Sequence, residues 1–84
     1  MVYTVNISDI SENFLKKLDK SDQLRIRDKL RALNDNPRLG KPLVANLAGF
    51  WSLRVGKYRI IYEIKEKELV VYVIRIGHRK NVYS

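Results

Sequence analysis

The chain has 84 residues, 45% hydrophobic and 31% charged, with one histidine, no cysteine and a formal net charge of +8. That length holds one small domain near the lower limit for a single core, and the hydrophobic share excludes a disordered chain. The absence of thiols excludes disulfides and thiolate metal sites, and the longest apolar run, Leu69 to Ile74, is far too short to cross a bilayer. The opening MVYTVNISDI carries no basic leader ahead of an apolar core, so a cytoplasmic location without membrane attachment is expected.

Tyr3-Thr4-Val5-Asn6-Ile7 alternates apolar and polar residues and predicts a strand with Tyr3, Val5 and Ile7 inward. Ser8 is a good helix N-cap, with Asp9 and Glu12 placed to complement the helix dipole. Phe14, Leu15 and Leu18 mark the apolar stripe of that helix, which is expected to end near Asp19. Ser21 or Asp22 is expected to cap a second helix, in which Ile26, Leu30 and Leu33 recur at spacings of four and three. Asn36-Pro37 stops it, because the residue before proline disfavours helix and proline breaks the ladder.

Between Arg38 and Phe50, Gly40, Pro42 and Gly49 argue against a regular element. From Trp51 to Val55 the alternation puts Trp51, Leu53 and Val55 on one face and Ser52 and Arg54 on the other. Gly56-Lys57 reads as a two-residue hairpin turn, in which glycine supplies the positive φ. Tyr58–Ile64 and Leu69–Ile76, rich in Val, Ile and Tyr, predict two more strands joined by Lys65-Glu66-Lys67-Glu68, with Gly77 ending the last. That last strand is apolar on both faces and is expected inside the sheet. The fold class is therefore α+β. An antiparallel sheet of about four strands carries an N-terminal helical hairpin on one face, in the order β-α-α-β-β-β, and residues 1–84 form a single domain.

Charge is unevenly spread. Residues 1–36 hold seven Lys/Arg against six Asp/Glu, whereas residues 37–84 hold ten against three, so the strand half carries nearly all the excess. Lys16, Lys17, Lys20, Arg25, Arg27 and Arg31 of the helices alternate with acids and read as a solvated outer face. If Val55 pairs with Tyr58, Arg54 lies across from Arg59 on the same face, a like-charge pair that costs a sheet about 0.2–1 kcal/mol. The repulsion turns to use once a polyanion lies over it. A one-residue slip decides whether Arg75 joins them.

The residues exclude much other chemistry. One histidine and three acids in the basic half leave little for a metal site, and the four glycines form no phosphate-cradling loop. Ser52, between Trp51 and Leu53 with Arg54 close by, reads as a plain strand serine. What remains is Arg54, Arg59, Arg75 and Arg79 with His78, Tyr83 and the flanking Lys57 and Lys80. Guanidinium forks suit phosphate oxygens and the charge that builds on a pentavalent phosphorus, while Tyr or His can stack a base or pass a proton. Such parts suffice for a ribonuclease without metal or cofactor, in which RNA supplies its own 2′-hydroxyl.

The segments Leu47-Ala48-Gly49, Trp51 to Tyr62 (WSLRVGKYRIIY), Val73-Ile74, Ile76-Gly77-His78-Arg79 and Val82-Tyr83 together resemble the RelE branch of the RelE/ParE toxin superfamily. The resemblance covers essentially the whole chain. It implies two helices packed on one side of a compact antiparallel sheet, and a toxin held inactive by a protein antitoxin wrapped around it in a hetero-oligomeric complex. RelE-like toxins cleave messenger RNA in the ribosomal A site without metal, so the implied partners are an acidic antitoxin and mRNA on the ribosome. By the same resemblance Arg59 binds phosphate, Arg79 stabilises the transition state, Tyr83 stacks on a base or assists proton transfer, and Arg54 is a basic residue of the preceding strand. Well-known members carry two lysines in the strand around Phe50 and Ser52, which this chain lacks. His78 is the substitute candidate for their proton-transfer role. The missing lysines lean towards ParE-like toxins, which block gyrase by protein binding, while Gly77-His78-Arg79 and Val82-Tyr83 lean towards RNA cleavage; a non-catalytic RNA-binding or decayed toxin domain is a third reading.

Overall fold

Residues 2–80, the part described by the computed structural model, alternate between local signals that hold and long-range pairings that the sequence does not announce. In chain order they form β1 (Thr4–Ile7), α1 (Asp9–Lys16), α2 (Lys20–Asp35), β2 (Lys41–Pro42), β3 (Phe50–Val55), β4 (Tyr58–Lys65) and β5 (Val70–His78). Short 3-10 turns at Pro37–Leu39, Ala45–Leu47 and Glu66–Glu68 fill the connections.

The Ser8 hydroxyl caps α1 by accepting the Ser11 N–H at 3.2 Å. The second helix starts earlier than expected. Asp19, rather than Ser21 or Asp22, is its N-cap, accepting the Asp22 N–H at 2.9 Å. A carboxylate there satisfies an orphan donor and faces the positive end of the helix dipole. Accordingly α1 stops at Lys16, and Gln23 closes the junction by donating to the Leu18 carbonyl at 2.9 Å. Asn36 ends α2 ahead of Pro37, as expected.

The sheet has five strands in the order β1-β5-β4-β3-β2. The β3–β4 and β4–β5 pairs are antiparallel, as the hairpin signals require, but β1 runs parallel to β5. The sheet is thus mixed. After the helical pair the chain re-enters at the opposite edge and works back to lie beside its own first strand. The added strand is β2, two residues long, with Lys41 opposite Ser52 and Pro42 opposite Trp51. Proline is tolerated there because the strand is at the edge. Gly77 does not end β5; it pairs with Arg59, and the strand continues to His78.

One face of the sheet is covered. Leu15 of α1 and Ile26, Leu30 and Leu33 of α2 pack against Leu53, Val55, Tyr58, Ile60, Tyr62, Val71, Val73 and Ile76. Each fully buried aliphatic side chain of this kind contributes about 1.5–3 kcal/mol. The two helices leave the opposite face open. Among the described residues no helix is long and apolar enough to cross a membrane.

Candidate nucleic-acid interface

The β3–β4 hairpin sets the first two cations. Gly56 has φ of +59°, the left-handed geometry that opens the two-residue turn, and Val55 pairs with Tyr58 across it. The next pair out is Arg54 with Arg59. Since Val55 and Tyr58 are core residues, the alternation turns Arg54 and Arg59 to the open face.

Arg59 is half-buried and anchored, its Nη1 donating to the Ser52 hydroxyl at 2.9 Å. Ser52, itself buried, is more than the plain strand serine the sequence suggests. Its place two residues before Arg54 on the same face was the available signal. A cleft of about 420 Å3 opens beside this pair, walled by Lys41 and Pro42 of β2 with Ser52, Arg54 and Arg59. Its far rim is fixed by Tyr62, whose hydroxyl donates to the Pro37 carbonyl at 2.7 Å and accepts the Gly40 N–H at 3.1 Å. Burial raises the Tyr62 pKa above the ordinary tyrosine value, with the Gly40 hydrogen bond acting in the opposite direction. A Cβ on Gly40 would come within 2.4 Å of the Ser52 carbonyl oxygen, so only glycine lets this rim approach β3.

Arg75 owes its face to an irregularity. Tyr62 pairs with Val73 but Ile61 pairs with Arg75, so Ile74 is an extra residue in β5. Without this bulge Arg75 would oppose Ile60 and point into the core; with it, Ile76 takes that place and Arg75 stands exposed on the face of Arg54 and Arg59. The Ser8 hydroxyl donates to the Ile74 carbonyl at 2.8 Å, tying the bulge to the start of α1.

Arg79 follows β5, and its N–H donates to the Lys57 carbonyl at 3.0 Å. Together with Gly56, Lys57, His78 and Lys80 it lines an open basin of about 580 Å3 at the hairpin tip. Lys57 and Lys80 thus join Arg79 there. His78 does not join the arginine face. It pairs with Tyr58 in the ladder, and its ring lies 5.1 Å from that of Tyr58 and 6.0 Å from that of Phe14 of α1. The Tyr58 hydroxyl donates to Asp22 at 2.8 Å; burial, and then this carboxylate, raise its pKa. Tyr83 lies outside the described residues.

Arg54, Arg75 and Arg79 have no ion pair among the described residues, whereas Arg27, Arg31 and Arg38 are engaged by Glu12, Asp28 and Glu66. Glu63, the acid on the open face, lies 3.7 Å from Lys65. The face therefore offers an arriving anion one anchored guanidinium, Arg59, and others not engaged by acids among the described residues. Such forks bind phosphate oxygens in pairs.

Known proteins share this fold. Residues 5–83 match the model of a family described as the ParE toxin of the type II toxin–antitoxin system parDE. Toxin RelG of Mycobacterium tuberculosis is 44% identical over 46 residues, 55% of this chain and 53% of that protein, so the match spans about half of RelG. Toxin YoeB of Synechocystis is 33% identical over 66 residues, 77% of each chain. The crystal structure of the toxin–antitoxin complex RelBE2 from M. tuberculosis superposes with a TM-score of 0.86 at 32% identity, covering 96% of this chain and 95% of that one. With a family model matched over nearly its whole length, and the same fold in a relative of similar size, the chain belongs to the RelE/ParE superfamily of type II toxin–antitoxin toxins.

Proposed function

We propose that this protein is the toxin of a type II pair and arrests translation by cutting messenger RNA on the ribosome. The observation that carries the reading is the Arg54–Arg59 pair, two like charges set side by side on the open face with Arg59 anchored by Ser52. A sheet gains nothing from that pair until a phosphodiester lies across it. In the reaction the 2′-hydroxyl oxygen attacks the neighbouring phosphorus as it loses its proton. The bond from phosphorus to the 5′-oxygen breaks, the leaving oxygen takes a proton, and a 2′,3′-cyclic phosphate remains. Arg59 and Arg54 hold the phosphate, Arg79 opposes the charge that grows on it, and Tyr83 stacks a base or assists the proton. Arg75, Lys57 and Lys80 extend the grip on the backbone. The ring contacts of His78 favour a packing role over the proton transfer expected of it.

The partner is an antitoxin, as in the RelBE2 complex, and it is acidic to match the basic face. The ParE description of the matching family favours a second reading, inhibition of gyrase by protein binding. Primer extension on a defined mRNA, with and without translating ribosomes, separates the two. Cuts that require both ribosomes and Arg79, lost in Arg79→Ala, support RNA cleavage. Growth arrest with intact mRNA and a DNA-damage response moves the assignment to gyrase.

A further inference from the structure

One helical arginine differs from its neighbours. Arg27 and Arg31 are paired with Glu12 and Asp28, but Arg25, also on α2, is exposed and has no ion pair among the described residues. Its guanidinium reaches off the helical layer to the hairpin tip, where a Cβ on Gly56 would lie 3.3 Å from its Nη1. The nearest acid one turn back, Asp22, is occupied by the Tyr58 hydroxyl at 2.8 Å. Arg25 thus reaches Gly56, which lines the basin together with Lys57, Arg79 and Lys80.

We propose that Arg25 is a phosphate-binding residue, and that the RNA track runs from Arg59 and Arg54 over the Gly56-Lys57 turn to the edge of α2. Arg54 is two residues from Gly56, about 7 Å along the strand, so one nucleic-acid strand crossing the turn reaches both arginines. The basin wall has two lysines, an arginine, a histidine and a glycine, with no aliphatic side chain. Protein interfaces have apolar centres depleted in lysine, so this surface fits a phosphodiester backbone better than a protein partner. The proposal rests on the RNA-binding reading above and adds a contact that the helical charge pattern conceals.

The test is fluorescence anisotropy of the full chain with a labelled 2′-O-methyl RNA oligonucleotide, which lacks the attacking hydroxyl and is not cut, measured across a salt series. Arg25→Ala is expected to weaken binding about 3- to 10-fold at moderate salt. It also flattens the slope of log K against log salt by about 0.7, the share of one phosphate contact on a single strand. Arg25→Lys restores the slope, because it restores the charge. Arg25→Gln, which keeps the stem that rests on the turn, loses it as Arg25→Ala does, and this separates charge from folding. Arg31→Ala leaves the slope unchanged. Unaltered affinity and slope in Arg25→Ala, with Arg54→Ala weakened, would overturn the Arg25 assignment and leave the RNA reading standing. Weakened antitoxin binding with RNA binding intact would also overturn it, by making the partner a protein. Wild-type protein that binds no free RNA would overturn the Arg25 assignment, whereas the RNA-cleavage reading falls only if primer extension with ribosomes shows no cuts.

Discussion

Arg54 and Arg59 occupy directly opposed positions in the β3–β4 ladder, one pair out from the residues that close the Gly56-Lys57 turn. Folding brings these charges together and solvent screens them only in part, so the pair opposes the stability of the free protein. Arg54→Thr removes the repulsion and adds a good strand former. Its denaturant midpoint is expected to rise by the equivalent of about 0.2–1 kcal/mol. RNA cleavage is expected to fall about 10- to 100-fold, as the loss of one charge-assisted phosphate bond of about 1.5–3 kcal/mol requires. A variant both less stable and less active would show that the pair is not in tension.

Ser52 positions Arg59 through the 2.9 Å bond to Nη1, and it is buried where no substitute acceptor enters easily. Ser52→Ala leaves the guanidinium charged but less well oriented. Cleavage is expected to fall about tenfold in kcat/KM, with a loss of about 1–2 kcal/mol in stability and the fold retained. Steady-state cleavage alongside urea unfolding checks both. Unchanged kcat/KM would show that Arg59 orients without Ser52.

Much of this was legible because it is local. The Ser8 cap, the stop at Asn36-Pro37 and the Arg54–Arg59 register all follow from residues within a few positions of one another. Asp19 was passed over because Asp19, Ser21 and Asp22 are all competent caps, and only the packing of α1 chooses among them. The two-residue β2 was hidden by Pro42, which is acceptable only because β2 is the edge strand of the sheet. The parallel β1–β5 pair joins segments more than sixty residues apart, and no short-range pattern encodes it. Arg25 read as a surface charge because helical spacing says nothing about a side chain reaching across to another element's turn.

The face of Arg75 was undetermined for the same reason, since it depends on the Ile74 bulge and so on the Ser8 hydroxyl. Ser8 acts twice, as helix cap and as donor to a distant carbonyl. Ser8→Ala is therefore expected to cost about 2 kcal/mol, more than the roughly 1 kcal/mol of Asp19→Ala, whose carboxylate mainly serves its own helix. If the bulge closed with Ile74 still in the strand, Arg75 would face Ile60, and an unpaired charge in that core costs several kcal/mol, so the Ser8 bond guards against a costly register. Urea midpoints for the two variants give the order. Equal losses for Ser8→Ala and Asp19→Ala would mean that the bulge stands without its hydrogen bond.

Tyr58 and Tyr62 make stability depend on alkaline pH. Both pKa values are raised above the ordinary value of 10.0, chiefly by burial, so near that value the unfolded chain releases these protons while the folded chain keeps them. The unfolded state then binds fewer protons, and the free energy of unfolding falls as pH rises. The contribution is complete below pH 10 and is lost above it, through the folded-state pKa values. Thermal melts from about pH 8 to 11 are expected to hold steady and then drop. The chain's net charge also enters the pH dependence of the melt. The diagnostic is therefore a difference between variants. Tyr58→Phe loses about 1–2 kcal/mol at neutral pH, because Asp22 loses its donor, but its melting temperature declines less steeply above pH 10. A decline as steep as that of the wild type would assign the alkaline loss to groups other than Tyr58.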